Sequence, residues 1–218
     1  PCGSGKSTTL ASLLGIINRE RQGKIITIED PIEYIFENDH CLIEQREIGI
    51  DANDFAVALK YVLRQDPNVI MVGEMRDNET IDAALTAAET GHLVFSTLHT
   101  GPAAESLSRI VSSFPAYQQG QIATKLSLCL RAVISQRLLP AASGGRVAAR
   151  EIMFNTPAIA NLLRSQKPEQ ISSIIQTSSR DGMITLNRSI EEPLASGQIT
   201  PEVAKMYTRG DSGDAYWR

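Results

Sequence analysis

Short apolar runs alternate with helix-spaced apolar positions over the first two thirds of this chain. Thr8 to Ile17 has the spacing of an amphipathic helix. Lys24-Ile25-Ile26-Thr27-Ile28 follows Gly23 as a β-branched run too short for a helix, and predicts a buried strand. Phe55, Ala58, Leu59, Val62 and Leu63 recur at i, i+3, i+4, i+7 and i+8, predicting a helix that Asp66-Pro67 stops. Asn68 to Gly73 predicts a second strand. Asn78 is the expected cap of a helix running through Ala88 to Thr90-Gly91, and His92 to Thr97 predicts a third strand. Strands that are apolar at successive positions must be covered on both faces. With helices between them, they imply a parallel α/β sheet.

Beyond these, Ile122, Leu126, Leu130, Val133 and Ile134 predict one long helix, followed by a strand at Gln136-Arg137-Leu138-Leu139. Ser143-Gly144-Gly145 is a turn, and Arg146 to Phe154 the return strand of a hairpin. After Thr156 the spacing is helical and polar-faced, broken near Lys167-Pro168, Asp181-Gly182 and Gly197. The expected division is a core over residues 1–155 and a small helical region over 156–218.

The chain opens on Pro1-Cys2-Gly3-Ser4-Gly5-Lys6-Ser7-Thr8, which is G-x-x-x-x-G-K-[ST] lacking its first glycine. The strand that feeds such a loop is expected to have preceded Pro1. Gly3 and Gly5 let backbone N–H groups turn inward around a polyphosphate, and the following helix aims its positive end at the same charge. Lys6 is expected to reach the terminal phosphates and the Ser7 hydroxyl to sit on Mg²⁺, so ATP with Mg²⁺ is the expected ligand. A flexible Gly/Ser end is the bland alternative, which the apolar helix pattern behind the loop disfavours.

ATP hydrolysis also needs carboxylates, to hold the metal and to orient water. Val69-Ile70-Met71-Val72-Gly73-Glu74 places an acid at a strand's C-terminal end, where ligands of open α/β sheets gather. Glu74 is expected to hold Mg²⁺ through water, the alternative being an acidic loop start. Glu29, Asp30 and Glu33 cluster beyond another strand. Glu33 is the candidate general base, and Glu29 and Asp30 are expected to shape the site or the metal's water shell; a solvated acidic turn is the alternative. His99 could sense a γ-phosphate, while His92 at the far end of its strand is as readily structural. Arg76 could meet a phosphate, a neighbouring subunit, or simply Asp77 or Glu79. Arg46, Arg64 and Arg109 are weaker candidates of the same kind.

Composition narrows the field. Lys plus Arg is 21 against 25 Asp plus Glu, a net charge of −4, so no nucleic-acid partner is expected. Cys2, Cys41 and Cys129 are odd in number and widely spaced, pointing to a reducing cytosol rather than a disulfide framework or zinc site. No apolar run is long enough for a transmembrane segment.

The boxes GSGKST, ITIEDPIE, NVIMVGEMRD and TGHLVFSTLHT, in this order and spacing, resemble those of the secretion ATPases, and within them the PilT group of type IV pilus retraction motors. Gln45-Arg46-Glu47 resembles that group's QRE stretch. Residues 158–165, AIANLLRS, resemble its C-terminal AIRNLIRE signature, with Ala160 and Ser165 as departures that bear on retraction rather than on ATP chemistry. Asn161 and Arg164 keep the pattern, and Arg164 is expected to contact a partner.

The resemblance implies a RecA-like phosphate-loop core, a homohexameric ring, and a preceding PAS-like domain that closes on nucleotide. It gives Glu33 the role of base, Glu74 that of second acidic-box carboxylate, and places His92 and His99 in a histidine box. It further implies an inner-membrane platform protein as partner, and a cytoplasmic location peripheral to that membrane. Relatives in secretion, conjugation-like transfer or pilus extension remain open, as does a RecA-like nucleic-acid translocase.

Overall fold

A computed structural model of the chain describes residues 3–208. Two compact units emerge, interleaved along the chain. A sheet unit holds Lys6–Leu98 and Ser112–Cys129; a hairpin unit holds residues 3–5, His99–Val111 and 130–208. This division does not follow a boundary at 155/156, because the hairpin groups with the helices after it.

The sheet unit is a parallel α/β layer. Helix α1 (Lys6–Glu20) is followed by β1 (Gly23–Glu29), β2 (Cys41–Glu47), α2 (Phe55–Val62), β3 (Val69–Val72), α3 (Asn78–Glu89) and β4 (Leu93–Ser96). The strands lie in the order β2-β1-β3-β4, all parallel, with Ile28 opposite Val72 and Val72 opposite Ser96. Successive residues of one strand feed opposite cores. Ile26, Ile28, Ile70 and Val72 pack with Leu59, Val62, Ala84 and Ala87 of α2 and α3. Ile25, Val69 and Met71 pack with Leu14 of α1 and Cys41. Both faces are therefore dry, which explains the absence of polar alternation in these strands. Each fully buried Ile or Leu contributes about 1.5–3 kcal/mol relative to exposure.

Two expectations give way here, and one strand went unforeseen. Asp77, not Asn78, caps α3: its Oδ1 accepts from the Thr80 N–H at 2.8 Å and its Oδ2 from the Thr80 hydroxyl at 2.9 Å. Strand β2 had no clear signal, since Cys-Leu-Ile-Glu-Gln-Arg-Glu is half polar. It sits at the sheet edge, where only Cys41 is fully buried. Its edge is closed by side chains: Asn18 Oδ1 accepts from the Cys41 N–H at 3.2 Å, Asn38 Oδ1 from Ile43 at 2.9 Å, and Asp51 Oδ2 from Glu47 at 2.9 Å. Finally, the long helix ends early. Helix α5 (Ala116–Cys129) stops at Cys129, and Val133 and Ile134 belong to the next strand.

In the hairpin unit, α4 (Ala103–Ser112) precedes β5 (Ala132–Pro140) and β6 (Arg146–Phe154), which pair antiparallel with Gln136 opposite Arg150. The buried Glu151 carboxylate accepts the Ala103 N–H at 2.9 Å and so anchors the start of α4. Helices α6 (Pro157–Arg164), α7 (Ile171–Thr177), α8 (Leu186–Ala195) and α9 (Pro201–Tyr207) complete it. Thr156 and Thr200 each cap a helix whose first residue is proline, where the missing N–H costs nothing. Leu139 and Ala149 of the hairpin bury against Leu186, Ile190, Ile199 and Ala204.

Candidate nucleotide site

The loop before α1 has the backbone its glycines permit. Gly3 has φ +69° and Gly5 φ +81°, left-handed values that strain any residue with a Cβ. Helix α1 begins at Lys6, so the N–H groups of its first turn lack helical acceptors and face the loop with the positive dipole end. Ser4 is buried at 5% exposure, and its hydroxyl oxygen has no hydrogen-bond partner among the described residues. A buried orphan hydroxyl beside left-handed glycines suits an oxygen-rich ligand. Pro1 and Cys2 of the motif lie outside the described residues.

Glu33 lies against the first turn of α1. The Ser7 hydroxyl donates to Glu33 Oε1 at 2.7 Å, and the Thr8 and Tyr34 hydroxyls lie 2.8 Å apart. Ser7 thus gives its proton to a carboxylate and keeps its lone pairs for another ligand. The segment carrying Glu33 is clamped by alternate residues of β2. Gln45 Oε1 accepts from the Phe36 N–H at 2.9 Å, and its Nε2 donates to the Tyr34 carbonyl at 2.8 Å. Glu47 Oε2 accepts from the Ile32 N–H at 3.0 Å. Neither clamp was assigned a role from the residues alone. The available signal is that positions 45 and 47 share one face of a strand.

The remaining candidates fall in different settings. Glu29 is buried, accepting from the Thr27 hydroxyl at 2.6 Å and from Gln45 Nε2 at 3.1 Å, so its carboxylate ties β1 to β2. Asp30 is exposed and precedes a cis peptide bond to Pro31. Glu74 is buried directly after β3 and pairs with the exposed Arg76, while Asp77 is engaged as the cap of α3. Strand ends β3 and β4 are locked together by the Thr97 hydroxyl on the Gly73 carbonyl at 2.6 Å and the Met75 N–H on the Thr97 carbonyl at 3.1 Å. Because β1 and β3 are parallel neighbours, the segments bearing Glu33 and Glu74 leave the sheet at the same edge.

His92 Nδ1 lies 2.9 Å from the Ala87 carbonyl and 3.1 Å from the Thr90 hydroxyl, at the end of α3 and the opposite edge of the sheet. His99 is exposed at the start of the segment leading to α4, in the hairpin unit. Asn161 and Arg164 are exposed on α6, whose Ile159, Leu162 and Leu163 are buried as the spacing predicted.

No group of three or more His, Cys, Asp or Glu among the described residues could hold a metal ion by itself. Mg²⁺ needs no such cage. It keeps several waters and is bound through one or two protein oxygens plus substrate phosphates, a demand that Ser7, with its proton directed to Glu33, meets.

A phosphate loop opening a helix, with acids at the ends of adjacent parallel strands, defines a phosphate-loop α/β protein of the NTPase kind. The sequence pattern of the Type II/IV secretion system protein family matches residues 1–165, and the chain belongs to that family. It is 52% identical over 205 residues to the type IV pilus retraction ATPase PilT of Pseudomonas aeruginosa, covering 94% of this chain and 60% of that protein. It is 51% identical over 206 residues to a twitching motility protein of Neisseria gonorrhoeae, covering 94% of this chain and 55% of the relative. Among solved structures, that of the pilus retraction motor PilT with bound ADP superposes with a TM-score of 0.89 at 48% identity, covering 97% of this chain and 60% of that one. The chain thus spans a little over half the length of these relatives. The fold is the RecA-like core and helical C-terminal region that the boxes imply. Among the described residues no helix is long and apolar enough to cross a membrane.

Proposed function

We propose that this chain is the ATP-hydrolysing part of a motor that retracts type IV pili. The observation that carries the reading is the 2.7 Å bond from Ser7 to Glu33, which brings the loop's metal-binding hydroxyl and a carboxylate together. Gly3, Ser4, Gly5, Lys6 and Thr8 would hold the phosphates, with Lys6 neutralising charge at the terminal group. Ser7 would hold Mg²⁺, with Glu74 acting through its water; the ion, when bound, neutralises charge developing on the phosphate oxygens. Glu33 orients a water and takes its proton as the water oxygen bonds to the γ-phosphorus. The bond from that phosphorus to the β–γ bridging oxygen breaks, leaving ADP and phosphate. Glu29 and Asp30 support this segment; His99 and Arg76 are assigned to sensing the γ-phosphate.

The likeness to retraction ATPases supports a homohexamer that acts from the cytoplasm on a platform protein of the inner membrane, with Asn161 and Arg164 on the partner-facing surface. A Lys6→Ala change in the intact protein should reduce ATP turnover at least about 10²–10³-fold. A strain carrying it should show excess pili and no twitching. Bald cells would assign the motor to extension instead, and undiminished turnover would remove the nucleotide site from residues 3–8.

A further inference from the structure

We propose that Gln136 sets the orientation of the Ser4–Gly5 peptide of the phosphate loop, and that Arg150 sets the orientation of Gln136. The inference rests on the nucleotide site described above and adds a positioning residue to it.

Gln136 is buried on β5 at 7% exposure. Its Nε2 donates to the Ser4 carbonyl at 2.6 Å, and its Oε1 accepts from Arg150 Nε at 3.0 Å. The approach is close, and any side chain at position 5 would have to displace the Gln136 amide. A Cβ there would meet Gln136 Nε2 at 2.8 Å, and the left-handed φ disfavours a side chain independently.

A trans peptide holds its C=O and N–H in opposite directions. Fastening the Ser4 carbonyl to the hairpin therefore turns the Gly5 N–H away from it, toward the side on which a phosphate loop cradles its anion. The reversed peptide would present a carbonyl oxygen to phosphate oxygens, replacing a donor with an acceptor at the most negative part of the ligand.

The clamp has a sense because Gln136 is itself held. An amide turned by half a rotation would set Oε1 against the Ser4 carbonyl and Nε2 against Arg150. Those would be acceptor on acceptor and donor on donor, since a guanidinium only donates. Arg150 lies directly opposite Gln136 in the hairpin register and is exposed, so it adds direction to the contact without adding to the core. Glutamine serves here because it donates one way and accepts the other. Glutamate cannot donate when ionised, and an aliphatic residue can do neither.

The test is steady-state ATP hydrolysis in the intact protein with the variants Gln136→Glu and Arg150→Ala, beside Lys6→Ala. Hydrogen bonds to charged groups imply a rise of roughly tenfold or more in KM for MgATP in Gln136→Glu, with kcat nearly unchanged, because the Gly5 N–H serves bound substrate and transition state alike. Arg150→Ala should raise KM by a smaller factor alone and by none in a Gln136→Ala background. A purely structural role would lower the active fraction, and hence apparent kcat, at unchanged KM. Wild-type KM in Gln136→Glu, with Lys6→Ala inactive, overturns this proposal and leaves the nucleotide site standing. An active Lys6→Ala overturns the site itself. Should the buried substitution not fold, Arg150→Ala decides: an unchanged KM in that exposed variant overturns the clamp.

Discussion

The two loops to which we assign the chemistry are held by glutamines in different ways. The segment bearing Glu33 is fastened through both polarities of its backbone: Gln45 takes the Phe36 N–H and gives to the Tyr34 carbonyl, while Glu47 takes the Ile32 N–H. At the glycine turn, Gln136 fastens the Ser4 carbonyl. The difference follows from what each loop is proposed to offer. Where a side chain does the work, donors and acceptors of the main chain are both free to be used as fixings. Where the main-chain N–H groups are themselves the ligands, an anchor that took them would abolish the site, so anchoring falls to a carbonyl.

Substitutions can break this contrast or sharpen it. The largest effect is expected from Glu33→Gln, which removes the proposed base of the first loop. Turnover should fall by about 10²–10⁴-fold while ATP stays bound, as a filter-retention assay with labelled ATP would detect. Wild-type turnover would remove Glu33 from the role of base. Ile70→Ala, in the core shared by both strand ends, should cost about 2–5 kcal/mol in urea unfolding while leaving KM alone, and so separates stability from positioning. Gln45→Ala should loosen the acidic segment and lower kcat about tenfold at nearly constant KM, the reverse of the pattern expected for Gln136. If both glutamines alter the same parameter, the contrast fails.

The smallest effect belongs to Glu44. Its carboxyl is held below the usual range chiefly by the hydrogen bond from Lys24 at 2.8 Å, against some burial, and with further attraction from Lys24 and Arg46. A depressed folded-state value gives stability that is present above the unfolded value and lost as the pH falls through the folded one. Glu44→Gln should therefore cost at most about 0.5 kcal/mol at neutral pH, since the pair is partly exposed, and nothing once the carboxyl is protonated. Paired urea midpoints at neutral and acid pH check this.

Much of the sheet was legible because burial on two faces leaves a simple trace. Ile25, Ile26 and Ile28 announce β1 without reference to any neighbour, as Val69 to Val72 announce β3. Strand β2 was not, since one edge and part of its surface are open and its polar residues have partners elsewhere. Leu130, Val133 and Ile134 continue the helical spacing of α5 by coincidence, and only the pairing of Val133 with Met153 and Ile134 with Ile152 decides for a strand. The acids and loop lysine stand out as candidates by their position after strands and glycines. Gln136 did not: its partner lies 132 residues away, and an amide has no spacing signature until that partner is known.

The closed edge of β2 has a consequence for association. Outermost strands ordinarily invite another chain to add on, because they present a row of unused amides. Asn18, Asn38 and Asp51 already occupy three of these donors, so an incoming strand would have to evict them one by one. Copies of this protein can crowd together with that flank facing solvent and still not zip into a continuous sheet.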